Sequence, residues 1–241
     1  MMSTDMKEGQ EGKAVIEDEE ESVWERFCQF AYSGDYTSEG PDIDALVNND
    51  QLLFKPPVRP DIPVITGGKH TRKKNRIVVP TPEPTRSRIW DEFCNRVYPI
   101  SQLEDTPDEE DCSADYTEVF LCHAKLYVFA DKWCVSSLQN PCLHKLKQTL
   151  QRFTIYQSRR RDLYKLIDYC YKFTRENDRD NPLTSLVAHY ISCVVEYLVN
   201  DQGFQDLLET HVRFSRDLVL RMAQRLDTTD NLDGGDFDLD L

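Results

Sequence analysis

The stretch YTEVFLCHAKLYVFADKW, residues 116–133, restricts the fold more than any other part of this chain. At roughly 100° per residue, Val119, Cys122, Leu126, Phe129 and Trp133 fall on one helical stripe. Phe120, Ala124, Tyr127 and Ala130 extend that stripe around the cylinder, and Glu118, Lys125 and Lys132 leave only a narrow polar face. A helix apolar over most of its circumference must be covered by other elements, so the pattern predicts the central helix of an all-helical packing unit. Asp115 with Glu118 three residues on resembles a capping box, with Asp in the Ser/Thr place, and predicts where the helix starts.

The same reasoning sets the neighbouring elements. Val23, Phe27 and Phe30 share one face of a helix that Ser22 can cap and that stops at Ser33-Gly34. Asn140-Pro141 reads as an N-cap followed by proline at the first helical position, leading a helix that carries Leu143, Leu146 and Leu150. Ser158 is placed to cap the next, with Leu163, Leu166, Ile167, Cys170 and Tyr171 on its apolar side. Asn181-Pro182 repeats the start signal before Leu183, Leu186, Val187, Tyr190, Ile191, Val194 and Leu198. Phe214, Leu218, Met222 and Leu226 define a terminal helix. Residues 14–16 could form one short strand, but no sheet for it is apparent.

Eight of the chain's twelve prolines lie in residues 37–86, which have no sustained periodicity and read as a long disordered insertion. The expected organisation is a first segment, 1–36, then the insertion, then a helix and acidic linker over 87–115. A helical unit follows over 116–226, and an acidic disordered tail over 227–241. IWDEFCNRVY at 89–98 echoes VWERFCQFAY at 23–32; one short echo reads as two similar amphipathic helices rather than a solenoid.

Composition narrows the function. The formal net charge of −14 opposes general affinity for nucleic acid or anionic membrane. No apolar run approaches the roughly 20 residues of a membrane helix, and no apolar h-region opens the chain. The expected setting is intracellular, cytoplasm or nucleus, where eight cysteines stay reduced; Cys28, Cys122, Cys170 and Cys193 fall on apolar stripes. One basic segment, KHTRKKNR at 69–76, stands out. Lys73, Lys74 and Arg76 supply the charge density that a nuclear-import receptor or a nucleic acid would contact, although a solvated linker is the plainer reading.

Catalytic and cofactor signatures are not found. Ser185, His189, Ser192 and Glu196 recur along one helix, but their positions oppose Leu183, Val187, Ile191 and Val194 and read as a solvated face rather than a triad. His123 lies on the apolar side of the central helix and reads as a hydrogen-bonded core histidine. Cys134, Cys142 and His144 have the spacing C-x7-C-x-H, which does not match the close ligand pairs of structural zinc sites. Neither GxGxxG nor GxxxxGK[ST] occurs. The expectation is a non-enzymatic protein with no cofactor or metal.

Two segments carry a family resemblance. VWERFCQFAYSGDY, residues 23–36, resembles the wording that closes the core of many BTB/POZ domains, and HAKLYVFADKW, residues 123–133, resembles the family's next signature helix. IWDEFCNRVYP, after a long insertion, is similar to fungal members in particular. The resemblance covers roughly residues 7–226, interrupted by the insertion. It implies a mainly α helical bundle formed by the C-terminal half of a BTB/POZ-like domain and its helical extension. Partners are then other proteins, with a homodimer or a cullin scaffold among them, and the role is that of a substrate adaptor for a cullin-type ubiquitin ligase. The family's opening strand pair, its D-V-x-x-x-V helix and its F-x-V-H-K-x-x-L motif are not found here. Lys7-Glu8-Gly9 resembles the segment that follows them, so the N-terminal part of the domain is expected to be missing from this chain.

Overall fold

The computed structural model describes residues 19–42, 50–57, 85–100, 114–175, 178 and 181–230. Among these residues the chain forms eight α-helices and two short strands. The chain is therefore mainly helical, as its hydrophobic periodicity predicts. Helix α1 spans Glu21–Ser33 and ends at Gly34, whose φ of 81° and amide bond to the Phe30 carbonyl at 2.8 Å give the expected left-handed stop. Ser22 does not cap it: the helix begins two residues earlier than a Ser22 cap would set, with Glu20 at the N-cap and no side-chain cap bond.

The apolar run becomes α3, Thr117–Lys132, following α2 at Thr85–Asn95. Asp115 does fix the start of α3, its carboxylate accepting the Thr117 amide at 2.8 Å. The reciprocal partner is not Glu118, which is exposed, but Asp162, which accepts the Tyr116 amide at 3.1 Å and the Thr117 hydroxyl at 3.3 Å. At its other end the Cys134 amide bonds the Asp131 carbonyl and the Val135 amide bonds that of Ala130. This is a Schellman stop with Cys134, at φ 57°, where glycine is usual.

Helix α4 spans Ser136–Arg152, so Asn140-Pro141 does not start it. Pro141 sits inside and buried. It forfeits one ladder bond, to the Ser137 carbonyl, which the surrounding apolar packing of Leu138, Leu143, Leu146 and Leu150 offsets. Helix α5, Arg160–Phe173, is likewise not capped by Ser158, whose hydroxyl bonds the Asp50 carboxylate. Asn181 performs as expected: its side-chain oxygen accepts the amides of Leu183 at 3.0 Å and Thr184 at 3.3 Å at the start of α6, Pro182–Val194. A 3₁₀ turn at Val195–Tyr197 follows, then α7, Gln202–Thr210, and α8, Val212–Asp230. The sequence reading did not register α7, whose Phe204 and Leu207 are buried, and α8 continues past residue 226 into the stretch expected to be tail.

Part of the expected insertion is built into the fold. Strand β1, Leu52–Phe54, pairs antiparallel with β2, Ile155–Tyr156. Phe54 is buried against Trp90 and Tyr197, with ring centroids 5.7 and 5.5 Å away. A three-residue strand shows no periodicity, and its partner lies about a hundred residues on, so no local signal marks it. The possible strand at 14–16, the acidic run of 104–111 and residues 231–241 lie outside the described residues.

The core is one cluster, to which α1, β1 and α2 contribute as well as the later helices. Helix α3 packs on α1, α4 and α5, as a central helix should. Helix α6 is covered still more completely: α2, α4, α5 and α8 surround it, and of its side chains only Pro182 is exposed. The echoed decapeptides occupy unlike sites, since Trp90 and Tyr98 are buried while Trp24 is 40% exposed and Tyr32 94% exposed. Among the described residues no helix is long and apolar enough to cross a membrane.

Candidate functional site

The two motif segments meet at one buried joint. The turn after α1 lays Tyr36 against α3, its hydroxyl 2.8 Å from Nδ1 of His123. Lys145 of α4 closes the joint from the other side. Its ammonium donates to the Tyr36 carbonyl at 2.6 Å, pairs with Asp35 at 2.6 Å and lies 4.5 Å from the centre of the Tyr36 ring. Arg26 bonds the Thr37 carbonyl and pairs with Glu39, holding the rest of the turn.

Burial is the first influence on the titrating groups of this joint. It holds His123 neutral, with its pKa lowered to about 3, and the nearby Lys145 and Arg26 cations act in the same direction. Burial also raises the Tyr36 hydroxyl and the Cys142 thiol beside it. A neutral imidazole, an un-ionised phenol and a protonated thiol in a dry core make a structural clasp. They offer neither a nucleophile nor an accessible base, and His123 is the hydrogen-bonded core histidine its position predicted.

On the outer side of the joint lies an open aromatic groove between α1, α3 and α5. Its volume is about 480 Å³, and Val23, Val128, Phe129, Tyr169 and Phe173 form its apolar lining. Trp24, Phe27, Phe129 and Trp133 continue it as a row of rings with neighbouring centroids 5.1–6.1 Å apart, and Tyr169 and Phe173 stack at 4.6 Å. The outer rings remain in water: Trp24 is 40% exposed, Trp133 49% and Phe173 52%. Charged side chains on the rim satisfy one another. Glu20 pairs with Lys125 at 2.7 Å and Glu19 with Lys132 at 2.8 Å, while the Trp133 indole donates to Glu19 at 3.1 Å. Asp131 and Arg175 complete a lining with three acidic and three basic residues. In a chain of net charge −14 this is a locally neutral, apolar surface.

The remaining sequence candidates do not join this groove. The face of α6 expected to be solvated is instead covered at its centre: His189 is 8% exposed and Ser192 1%, because α2 and α8 close over them. The His189 ring meets the edge of Phe93 at 5.5 Å, and Ser192 donates back to the His189 carbonyl at 2.7 Å. Burial first, then Arg221 and Arg96, hold the His189 pKa down to about 4. Glu196, past the end of the helix, is exposed, so the four polar residues do not converge. Cys134 is exposed at the end of α3 while Cys142 is buried under Tyr36. Among the described residues no group of three or more His, Cys, Asp or Glu is arranged to hold a metal ion. Lys73, Lys74 and Arg76 lie outside the described residues.

Sequence reasoning missed Lys145, Arg159 and Asp162, all buried and charged. Arg159 approaches Asp115 at 3.4 Å, and burial raises the Asp162 carboxyl to about 6 despite the hydrogen bonds it accepts. Lysine and arginine in a polar sequence context read as surface residues, and only their distant partners reveal otherwise. Exposure of Trp133 was equally illegible, since it sits on a stripe that looks like core. Comparison with protein-family models, curated proteins and solved structures finds no match.

Proposed function

We propose that this chain is a non-enzymatic protein–protein interaction module whose aromatic groove receives an amphipathic helix from a partner protein. The observation that carries this reading is a groove of about 480 Å³ lined by Phe129, Tyr169 and Phe173 and continued by the rings of Trp24 and Trp133, with Trp24, Trp133 and Phe173 left 40–52% exposed. Large exposed apolar patches rimmed by polar residues mark interaction sites and ligand grooves. Aromatic side chains are also the residues most enriched at binding hot spots. A neutral, self-paired rim favours an occupant that presents apolar side chains at helical spacing over one that presents charge.

In its finer form the proposal is a BTB/POZ-like adaptor, with one face for a substrate and a cullin-type ligase as scaffold. Support comes from the segments that carry the resemblance, residues 23–36 and 123–133, which pack on each other through Tyr36 and His123. Selection of a phage-displayed helical peptide library on the full chain tests the groove. The expected result is enrichment of sequences with apolar residues at i, i+4 and i+7, whose binding drops at least about tenfold in Trp133→Ser and Phe173→Asp. Both positions are half-exposed, so both variants should fold. No enrichment, or binding that survives both changes, would refute the groove. Sedimentation of the unliganded chain separates a further outcome: a concentration-dependent dimer lost in the same variants would assign the face to a second copy. Co-purification with a cullin tests the adaptor role separately.

A further inference from the structure

On the side of the molecule formed by α2, α6 and α8, two arginines from different elements converge on one hydroxyl. Arg221 of α8 donates to Ser185 Oγ at 2.9 Å, and Arg96, just beyond α2, approaches the same oxygen through its two terminal nitrogens at 3.4 and 3.5 Å. All three residues are half-buried. Within 4.0 Å of either guanidinium there is no carboxylate among the described residues. The two nearest candidates are engaged elsewhere: Glu92 pairs with Arg88 at 3.3 Å, and Asp217 pairs with Arg216 at 2.8 Å and accepts from the Tyr171 hydroxyl at 3.2 Å.

Two like charges meeting at a neutral oxygen are at odds with their surroundings. Partial burial, followed by the Arg96 charge, lowers the Arg221 pKa, while the fields of Asp217 and Glu92 offset this only in part. The same two cations help hold His189 neutral beneath them. A third cation lies close: Lys147 reaches over from α4 to the Arg96 carbonyl at 2.6 Å. Because a hydroxyl can accept two hydrogen bonds and still donate one, Ser185 can orient both guanidinium forks and offer its own proton to a ligand. Planar guanidinium forks match the oxygens of phosphate and carboxylate groups.

We propose that Arg96, Arg221 and Ser185 form a binding site for an oxyanion, the phosphate or carboxylate group of a ligand. It is distinct from the aromatic groove, which is built on α1, α3 and α5, and it does not depend on the reading of that groove. The site requires no covalent chemistry. Its ligand enters as an anion and neutralises a charge pair that the fold has already assembled.

Inorganic phosphate is the probe. In the full chain, phosphate should raise the melting temperature above that in chloride of equal ionic strength and broaden the phosphorus resonance of the ligand. Arg96→Gln and Arg221→Gln should each weaken binding at least about tenfold, the loss of one charge-assisted contact. In chloride alone, either variant should melt no lower than the wild type, because removing one of two like charges relieves their repulsion. A purely structural role for the arginines, clamping α2 and α8 onto Ser185, gives the opposite result: lower melting in chloride and no specific phosphate response. Either an equal shift in phosphate and chloride or a phosphate shift that persists in both variants would overturn the site. A short acidic peptide lacking phosphate, run in parallel, identifies carboxylate as the source if it competes with phosphate and phosphate alone if it does not.

Discussion

Acidification from pH 7 to 5 should destabilise this protein through two histidines that the fold keeps neutral. His123 and His189 are 1% and 8% exposed, with pKa values lowered to about 3 and about 4. In the unfolded chain each takes up a proton near pH 6.5, so the unfolded state binds more protons below that value. The contribution is complete above the unfolded pKa and is lost as pH falls toward the folded one. By linkage each histidine removes about 2 kcal/mol between pH 7 and 5. Asp162 acts with the opposite sign. Its folded pKa of about 6 lies above the ordinary carboxyl value of 3.8, so it favours the folded state more as pH falls, returning about 1 kcal/mol over the same interval. The net loss is about 2–3 kcal/mol, a large share of a typical domain's stability. Urea unfolding followed by circular dichroism at pH 5, 6 and 7 measures it. His123→Gln should abolish about half of the histidine-driven loss, and the double variant His123→Gln, His189→Gln should reverse the slope, leaving Asp162 to make the protein slightly more stable at pH 5. The comparison concerns the slope, so a uniform loss of stability in the variants does not disturb it. A wild-type stability that is flat from pH 7 to 5, or a double variant that retains the wild-type slope, would refute the burial argument.

Two further changes test individual joints of the fold. Asn181→Ala removes the two hydrogen bonds from backbone amides that start α6 and should cost about 1 kcal/mol in the same urea assay; Asn181→Asp should not retain the stability, because it replaces the amide that donates to Asp178 at 2.9 Å with a second carboxylate. Lys145→Met keeps the stem that packs under Tyr36 but removes the ammonium from Asp35 and the Tyr36 carbonyl; a loss of about 2–3 kcal/mol is expected, smaller than for a fully enclosed pair because Asp35 is 33% exposed. An unchanged unfolding midpoint in either variant would show that the contact contributes nothing.

Much of the helical framework was legible in the sequence because helix signals are local. The apolar circumference of residues 116–133 required a covered helix, Asn181-Pro182 marked the start of α6, and Gly34 ended α1, each through contacts within a few residues. His123 could be assigned to the core from its stripe alone. Start signals failed where a second element took over the same role. Asp162 displaced Glu118 at α3, and Pro141, which can open a helix, was instead accepted inside one whose first turn begins at Ser136. Nothing in the local pattern ranks those outcomes, since both satisfy the same backbone rules.

By itself the sequence determined that the chain is mainly helical and which faces of its helices are apolar. Periodicity of hydrophobic residues encodes that directly. Tertiary structure alone decided which polar faces are also covered and which apolar ones are left open. It buried the polar side of α6 under α2 and α8, brought Leu52–Phe54 to Ile155–Tyr156, joined Tyr36 to His123, and set Arg96 and Arg221 on Ser185. It also left Trp24, Trp133 and Phe173 facing water. Each of these depends on residues tens of positions apart meeting across the core, and the free energy of such a meeting belongs to the pair of surfaces rather than to either stretch of sequence.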